Sequence, residues 1–306
     1  MTADPDRSRT IAVINGKGGV LKTSIVANVA GYLARSMRVL ALDLDIQGNL
    51  RLDLGLAESD ADDGGKGVVD AVWSGHELPI VADVRPGLDF VFGGRGLDVL
   101  SQLARSPLAS DLPHGSVAAE FAARLDEVAD RYDLVFIDCP PGNTDLQDIA
   151  LTSAGWVLIP TRTDQASLDG LMSVAPRVTH AQRVNPSLRY LGVAITAHNP
   201  SASRVLRTTQ QRLAEVGDLV PLFDTVIRYS EAAAQDCRDR GQLAFELAAD
   251  ASVVQQERLK ALSTRGRSTV VPLPGALSGS ARGLAQDYAE LAQEICTRIA
   301  TEEARA

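Results

Sequence analysis

Residues 15–24, with the sequence Asn-Gly-Lys-Gly-Gly-Val-Leu-Lys-Thr-Ser, lie between an apolar run and a segment of helical periodicity. A glycine-rich turn in this position lets successive backbone N–H groups face one anion, and the start of the helix adds a partial positive charge. We therefore expect a site for nucleotide phosphates, in which Lys22 reaches the β- and γ-phosphates and the Thr23 hydroxyl binds Mg²⁺. The residues assigned to the nucleotide are Gly16, Lys17, Gly18, Gly19, Val20, Leu21, Lys22, Thr23 and Ser24.

One residue departs from the usual phosphate-loop pattern, G-x-x-x-x-G-K-[ST]. Leu21 stands where that pattern has its second glycine. Because glycine has no Cβ and lets the backbone approach a phosphate closely, Leu21 is expected either to reshape the turn slightly or to weaken nucleotide binding. A surface glycine turn without a ligand is the alternative reading, but strand, turn, Lys-Thr and helix all follow in the order that a phosphate site requires.

Two other apolar runs end in carboxylates. Asp43 and Asp45 follow the run Val39–Leu42, and Asp138 follows the run Leu134–Ile137. Carboxylates at the edge of a sheet are costly without a compensating charge, and Mg²⁺ together with an attacking water would give them a purpose in phosphoryl transfer. We predict Asp43 and Asp138 as metal ligands together with Thr23, and a polar strand end is the alternative for Asp43 and Asp45.

The order of segments predicts an α/β protein with a doubly wound, mostly parallel sheet flanked by helices. Short β-rich runs alternate with helical segments, and the runs are apolar almost continuously, so both faces of the sheet should be covered. Ligands of such sheets bind at the carboxyl ends of the strands. The predicted strands are Ile11–Ile14, Val39–Leu42, Leu88–Phe92, Leu134–Ile137, Trp156–Pro160, Leu191–Thr196 and Leu222–Ile227, and the predicted helices are Thr23–Arg35, Ala118–Tyr132, Ser167–Arg183, Ser203–Val216, Ser230–Arg240 and Ala281–Ile299.

Two segments interrupt this alternation, Glu58–Lys66 and roughly Ala249–Ala281. Both combine charged residues with glycine, and the second also contains prolines and serines, so both are interpreted as surface loops or insertions. A chain of 306 residues can form one large core. We therefore predict a single domain over residues 1–306 with an insertion at about 249–281.

Composition indicates a cytoplasmic protein without membrane association. The chain has 45% hydrophobic residues but no apolar run long enough to span a bilayer, and its first ten residues lack the apolar stretch of a signal peptide. Cys139, Cys237 and Cys296 lie far apart and are interpreted as reduced thiols. The net charge of -9 argues against a protein that coats nucleic acid by overall charge, so any such contact needs a local basic patch.

The stretch Lys17–Ser24 resembles the deviant Walker A box, K-G-G-x-G-K-[ST]-[ST], of the ParA/MinD group of P-loop ATPases. Residues 43–49 resemble the second box of that group, D-x-D-P-Q-G-N, with Ile46 in place of proline, and Asp138–Pro141 resembles the third. The resemblance implies a P-loop NTPase fold and an ATPase that uses ATP and Mg²⁺. In that group the lysine matching Lys17 crosses a dimer interface to the phosphates of the opposite protomer.

The same resemblance implies the catalytic residues and the partners. Lys17 and Lys22 would act on the phosphates and Asp45 would position the attacking water. The ParA/Soj-type partition ATPases within the group pair as homodimers with ATP, bind duplex DNA non-specifically and respond to a ParB-type centromere-binding protein, which would make this chain nucleoid-associated and free of the membrane. Asn199 and Arg228 are candidates for the base pocket by position alone.

An arginine-rich region is the candidate for DNA contact. Between Arg177 and Arg240 there are nine Arg, no Lys and six Asp or Glu, a local net charge of +3. Arg204 and Arg207 fall three residues apart on one face of a predicted helix, and a solvated helix face without a ligand is the alternative. The predicted DNA-binding residues are Arg204, Arg207, Arg228, Arg238 and Arg240.

Two further functions stay open on the sequence. The same ATP-dependent dimer could position a protein cargo instead of DNA, since the nucleotide boxes are shared by both kinds of protein. The departure at Leu21 also leaves room for a nucleotide-binding scaffold that hydrolyses ATP weakly.

Overall fold

The computed structural model describes residues 7–215, 220–253 and 280–305. Eight strands form one sheet, and each of the strands that crosses its centre is fully buried, as the continuous apolar runs require. The strands are β1 (Thr10–Val13), β2 (Val39–Asp43), β3 (Ile80–Arg85), β4 (Leu88–Val91), β5 (Leu134–Asp138), β6 (Trp156–Thr161), β7 (Arg189–His198) and β8 (Leu222–Arg228).

The helices connect these strands and cover both faces of the sheet. They are α1 (Lys22–Leu33), α2 (Leu50–Asp53), α3 (Lys66–Ser74), α4 (Asp98–Ala104), α5 (Val117–Ala129), α6 (Thr144–Ser153), α7 (Gln165–Ala181), α8 (Ser203–Glu215), α9 (Glu231–Arg240), α10 (residues 244–253) and α11 (Ala281–Glu303), with 3₁₀ turns at Arg95–Leu97 and Pro107–Asp111.

The strand order is β3-β4-β2-β5-β1-β6-β7-β8. The β3–β4 pair is antiparallel and the other neighbouring pairs are parallel. Strand β1 lies between β5 and β6, so the chain leaves the sheet at this point towards opposite sides, which opens a crevice at the carboxyl ends of the strands. The predicted doubly wound fold is confirmed.

Two layers of apolar side chains form the core. On one face Phe121 of α5 and Val174 of α7 are buried against the sheet, and on the other face Ile25 of α1 and Leu291 of α11 are buried. At about 25 cal/mol per Å² of buried apolar surface, these two layers supply the main stabilising contribution. The fixed sheet between them holds the carboxyl-edge loops in place.

Several elements were not predicted. Strand β3 and helices α2, α3, α4 and α6 lie in segments for which the sequence predicts no element. Most of them are too short to display a clear periodicity of apolar residues. Helix α6 does carry a local signal, since the Asn143 side chain caps it by accepting a hydrogen bond from the Leu146 amide at 3.2 Å.

The predicted loop at about 249–281 starts too early. Residues 249–253 belong to α10, because Leu247 on that helix is fully buried against the α1 face of the core and holds the helix in place. Helix α11 begins at Ala281 as predicted, and residues 254–279 lie outside the described part of the chain. The prediction of a single domain remains untested. Within the described ranges, no helix combines the length and the apolar character needed to cross a membrane.

Candidate nucleotide-binding site

The glycine-rich loop between β1 and α1 is held in place by the neighbouring strands. Asn15 is buried, its Nδ2 donates to the Pro160 carbonyl at 2.8 Å, and its Oδ1 accepts from the Lys17 amide at 2.8 Å. The buried Thr196 hydroxyl of β7 lies 3.1 Å from the Val20 carbonyl oxygen. The loop is therefore tied to β6 and β7 at the carboxyl edge of the sheet.

Helix α7 also packs directly on this loop. A Cβ at Gly16 would lie 2.5 Å from Ser173 Oγ, and a Cβ at Gly170 would lie 2.4 Å from Asn15 Oδ1. Both distances are far shorter than atoms in contact allow, so a larger residue at either glycine would force Ser173 or Asn15 to shift. The two glycines thus set how closely α7 approaches the phosphate site.

Leu21 has a left-handed backbone conformation, with φ 65° and ψ 26°. The turn therefore keeps a shape that suits glycine, and the strain falls on Leu21, since this conformation costs an L-residue about 1–2 kcal/mol. Its side chain is half-buried and packs against the α1 face of the core. This contact offsets part of the strain, which explains how a leucine can occupy the position.

Lys22 is the first residue of α1 and is almost completely buried. Its Nζ donates to the Lys17 carbonyl at 3.0 Å and to the Asn15 carbonyl at 3.3 Å. Burial lowers the pKa of Lys22, and the Asp138 carboxylate opposes that effect. The ammonium group thus lies inside the loop, where its positive charge would attract an anion bound by the loop.

Asp43 and Asp138 lie opposite each other on β2 and β5 and both are buried. Asp43 Oδ1 accepts from the Asp45 amide at 2.8 Å and its Oδ2 accepts from the Leu50 amide at 3.1 Å. Burial and the neighbouring Asp138 raise the pKa of Asp43 well above its usual range. Both oxygens of Asp43 are therefore engaged in holding the loop that follows β2.

Asp138 differs from Asp43 in having no such donors. Neither of its buried oxygens makes a hydrogen bond of ordinary geometry with the described residues. Burial raises the pKa of Asp138 to about 7, although the Thr23 hydroxyl and the Lys22 ammonium nearby oppose that rise. A buried carboxylate without partners is expensive. Asp138 therefore fits a bound cation.

The residues present fit Mg²⁺ that is shared with a nucleotide. In the described part of the chain no three His, Cys, Asp or Glu side chains are grouped so that they could hold a metal by themselves. Mg²⁺ usually takes one or two protein oxygens and fills its other positions with phosphate and water. Asp138 and Thr23 can supply those protein oxygens, whereas each oxygen of Asp43 already accepts from a backbone amide, and the role of Asp43 as a ligand remains a prediction.

Asp45 lies in the turn after β2 and is largely buried. Its Oδ1 accepts from the Gln47 amide at 2.9 Å, which fixes the turn. The predicted role in positioning water stays a prediction.

Lys17 points away from Lys22. Its Nζ lies 2.6 Å from Asp164 Oδ1 and 3.2 Å from Ser167 Oγ, and its side chain is one third exposed. The Lys17 ammonium lowers the pKa of Asp164, which also caps α7 by accepting from the Ser167 amide. Sequence reasoning missed Asp164, although an Asp directly before a helical segment is a recognisable helix-capping signal.

A cavity of about 430 Å³ opens beside the end of the phosphate loop. Leu21 and Ser24 line it on one side and Arg228 and Tyr229 on the other. The guanidinium group of Arg228 is engaged with the Asp287 carboxylate at 2.6 and 2.7 Å. Of the two base-pocket candidates, Arg228 therefore borders the cavity.

Asn199, the other candidate, does not line this cavity. It is exposed, and its Oδ1 accepts from the Ser201 amide at 3.0 Å.

The predicted DNA-contact arginines divide into two groups. Arg204, Arg207, Arg238 and Arg240 are exposed, and Arg228 is half-buried. Arg228 is paired with Asp287 and Arg238 with Asp53, so part of the charge of these two arginines is already neutralised by a carboxylate. The arginines that make no ion pair with a described residue, Arg204, Arg207 and Arg240, are thus fewer than the five that the sequence suggested.

Cys139, Cys237 and Cys296 are free thiols. Cys139 is fully buried among the apolar residues of the α5 face and serves as a packing residue there.

The fold and the site together define a P-loop nucleotide-binding protein. A profile described as an AAA domain matches residues 8–190. The chain is 31% identical over 227 residues to the chromosome-partitioning ATPase Soj of Thermus thermophilus, which covers 72% of this chain and 80% of that protein. This chain belongs to the ParA/Soj family of ATPases, so the predicted family and the prediction of an ATPase are confirmed.

Solved structures give the same architecture. The chain is similar to an ATP complex of McdA from Cyanothece, with a TM-score of 0.69, 19% identity and coverage of 95% of this chain and 97% of that one. It is also similar to cobyrinic acid a,c-diamide synthase from Mycobacterium smegmatis with bound ADP and magnesium, with a TM-score of 0.62, 25% identity and coverage of 86% and 99%. The first likeness concerns the fold alone.

The strain at Leu21 predicts an unusual order of stability. We expect Leu21→Gly to be more stable than Leu21→Ala by about 1 kcal/mol, because both variants lose the side-chain packing but only alanine keeps the Cβ strain. Urea denaturation of the two variants measures the difference. The matched control is the helical residue Val99, where the glycine variant should be less stable than the alanine variant. If Leu21→Gly were also less stable than Leu21→Ala, the interpretation would be contradicted.

The buried Asp138 predicts a dependence of stability on pH in the protein without nucleotide or metal. Because folding raises the pKa of this carboxyl group from 3.8 to about 7, the unfolded chain loses the proton at a lower pH than the folded protein does. The cost is therefore absent below the lower pKa, grows as pH rises between the two values, and is constant above about pH 7. We expect Asp138→Asn to stabilise the protein more at about pH 8 than at about pH 5, measured by urea denaturation. The exposed Asp130→Asn serves as control, and an equal effect of Asp138→Asn at both pH values would contradict the prediction.

Proposed function

We propose that this ATPase is a dimerising switch in plasmid or chromosome partition. It uses ATP and Mg²⁺ at the phosphate loop; two copies pair over the nucleotide, and the pair binds duplex DNA without sequence preference. A ParB-type partner then triggers hydrolysis and release. The observation that carries this proposal is that one phosphate loop holds two lysines with different surroundings, Lys22 buried inside it and Lys17 at the surface.

The residues around the loop divide the work on ATP. Lys22 and the loop amides would bind the phosphates, and Asp138 and Thr23 would hold Mg²⁺, which neutralises phosphate charge when bound. Asp45, in the fixed turn after β2, would orient the attacking water. The buried groups carry charges of both signs at close range, and these charges hold one another in place before ATP binds. Little of the free energy of ATP binding is therefore spent on reorganising them.

Lys17 would complete the site of the partner subunit. Its side chain is one third exposed and its ammonium group is held by Asp164 at the start of α7, so it can reach a surface placed against the loop. A second cation on the γ-phosphate acts as an arginine finger does, which makes pairing depend on the triphosphate. The exposed Met172 on α7, close to the same loop, could be covered in such a pair.

We expect Lys17→Ala to abolish ATP-dependent pairing and to lower kcat for ATP about 10²–10³-fold, because one charge that stabilises the transition state is lost. Binding of ATP to the single chain should change little. Light scattering, steady-state turnover and titration calorimetry measure the three quantities. Lys66→Ala, which removes an exposed lysine from α3, is the control; pairing and turnover of Lys17→Ala at the wild-type level would refute the cross-subunit role.

The DNA contact is proposed for helix α8. Arg204 and Arg207 are exposed on one face of it and make no ion pair with any described residue, while the half-buried Leu213 attaches the helix to the core. Pairing of two chains would double the number of these arginines. Phosphate contacts of this kind bind duplex DNA without reading its sequence.

We expect Arg204→Ala/Arg207→Ala to bind duplex DNA at least about tenfold more weakly in the presence of ATP and to show a shallower dependence on salt, because fewer counterions are released. Fluorescence anisotropy at several salt concentrations measures both effects. The control Arg38→Ala/Arg131→Ala removes the same charge at the amino-terminal edge of the sheet. Equal weakening by the two double variants, or wild-type binding that is the same with ATP and ADP, would contradict the proposal and favour a protein cargo.

A further inference from the structure

Three side chains from separate helices meet beside the phosphate loop. Asp53, the last residue of α2, accepts from the Ser24 hydroxyl at 3.1 Å through Oδ2. Its Oδ1 accepts from Arg238 Nε at 2.9 Å and Nη2 at 2.6 Å. Asp53 thereby joins the first turn of α1 to the last turn of α9.

The burial of the two charged partners is unequal. The side chain of Asp53 is 11% exposed, whereas that of Arg238 is 51% exposed. Asp53 therefore depends on Arg238 for its compensating charge, because a carboxylate removed from water is costly when it lacks a partner. Because Arg238 belongs to α9, this ion pair also fixes the position of α9 relative to α2.

The same three residues line the cavity of about 430 Å³. Leu21 and Ser24 belong to its phosphate-loop side, and on the other side Tyr229 precedes α9 and Glu231 is its first residue. The Asp53–Arg238 pair thus connects the loop side of the cavity to its opposite wall. If the pair were broken, the α9 wall could move while Lys22 kept its hydrogen bonds to the loop carbonyls.

We propose that Asp53 and Arg238 are positioning residues that hold the α9 wall of this cavity against the phosphate loop, and that the cavity takes the nucleoside part of the nucleotide. This inference rests on the proposed nucleotide function. The pair affects the affinity for the nucleoside. Residues of the phosphate loop, and not this pair, act on the γ-phosphate. Arg238 is then part of the nucleotide site and contributes nothing to the DNA contact.

The test compares ATP with inorganic triphosphate, which lacks the nucleoside. For Arg238→Gln we expect the Kd of ATP to rise about tenfold, the KM to rise with it, the kcat to stay within twofold, and the Kd of inorganic triphosphate to remain unchanged. Arg238→Lys, which keeps the charge, should recover part of the loss. The control Arg240→Gln, an exposed arginine on the same helix, should bind ATP as the wild type does.

Asp53→Asn supplies an independent check. Asp53→Asn and Arg238→Gln break the same ion pair. The double variant Asp53→Asn/Arg238→Gln should therefore bind ATP no more weakly than the weaker of the two single variants. Unchanged ATP affinity in Arg238→Gln, equal losses for ATP and inorganic triphosphate, or an equal loss in Arg240→Gln would each overturn the inference. Failure of the wild-type chain to bind ATP would instead refute the proposed function, so the two outcomes are distinguishable.

Discussion

At the carboxyl edge of the sheet, Lys22, Asp43 and Asp138 are almost entirely removed from water. Charges buried in this way are tolerated only when other groups compensate them. Lys22 meets carbonyl oxygens of its own loop and Asp43 meets two backbone amides, but Asp138 meets no donor of ordinary geometry in the described structure. The charges of these buried groups are therefore incompletely balanced within the described protein, and a cation bound with its nucleotide would complete the balance.

The parallel sheet is what makes this arrangement unavoidable. The carboxyl ends of β1, β2 and β5 lie side by side, and the register pairs Asp43 and Val13 with Asp138. Any charged residue placed directly after these strands must therefore share one small volume. Helices on both faces then exclude water from it, which strengthens each electrostatic interaction.

Around the phosphate loop, residues of the same type have different environments and therefore different roles. Lys17 and Lys22 belong to the same loop, yet one contacts Asp164 at the surface and the other is enclosed by backbone carbonyls. The arginines show the same separation, since Arg238 binds Asp53 whereas Arg204 is exposed on α8. In each case the partner comes from a segment that is remote in sequence, so local pattern alone does not separate the roles.

The sequence by itself determined the alternation of strands and helices, the phosphate loop and the carboxylates that follow β2 and β5, because these features depend on residues close together in the chain. It also located the departure at Leu21. Only the tertiary structure decided that Leu21 keeps the left-handed turn and that Asp43 holds a loop, while Asp138 meets no donor of ordinary geometry among the residues that the structure describes. It also decided that Arg228 and Arg238 are paired with Asp287 and Asp53. These outcomes depend on contacts between segments up to 185 residues apart, and such contacts exist only once the sheet and its two helical layers have formed.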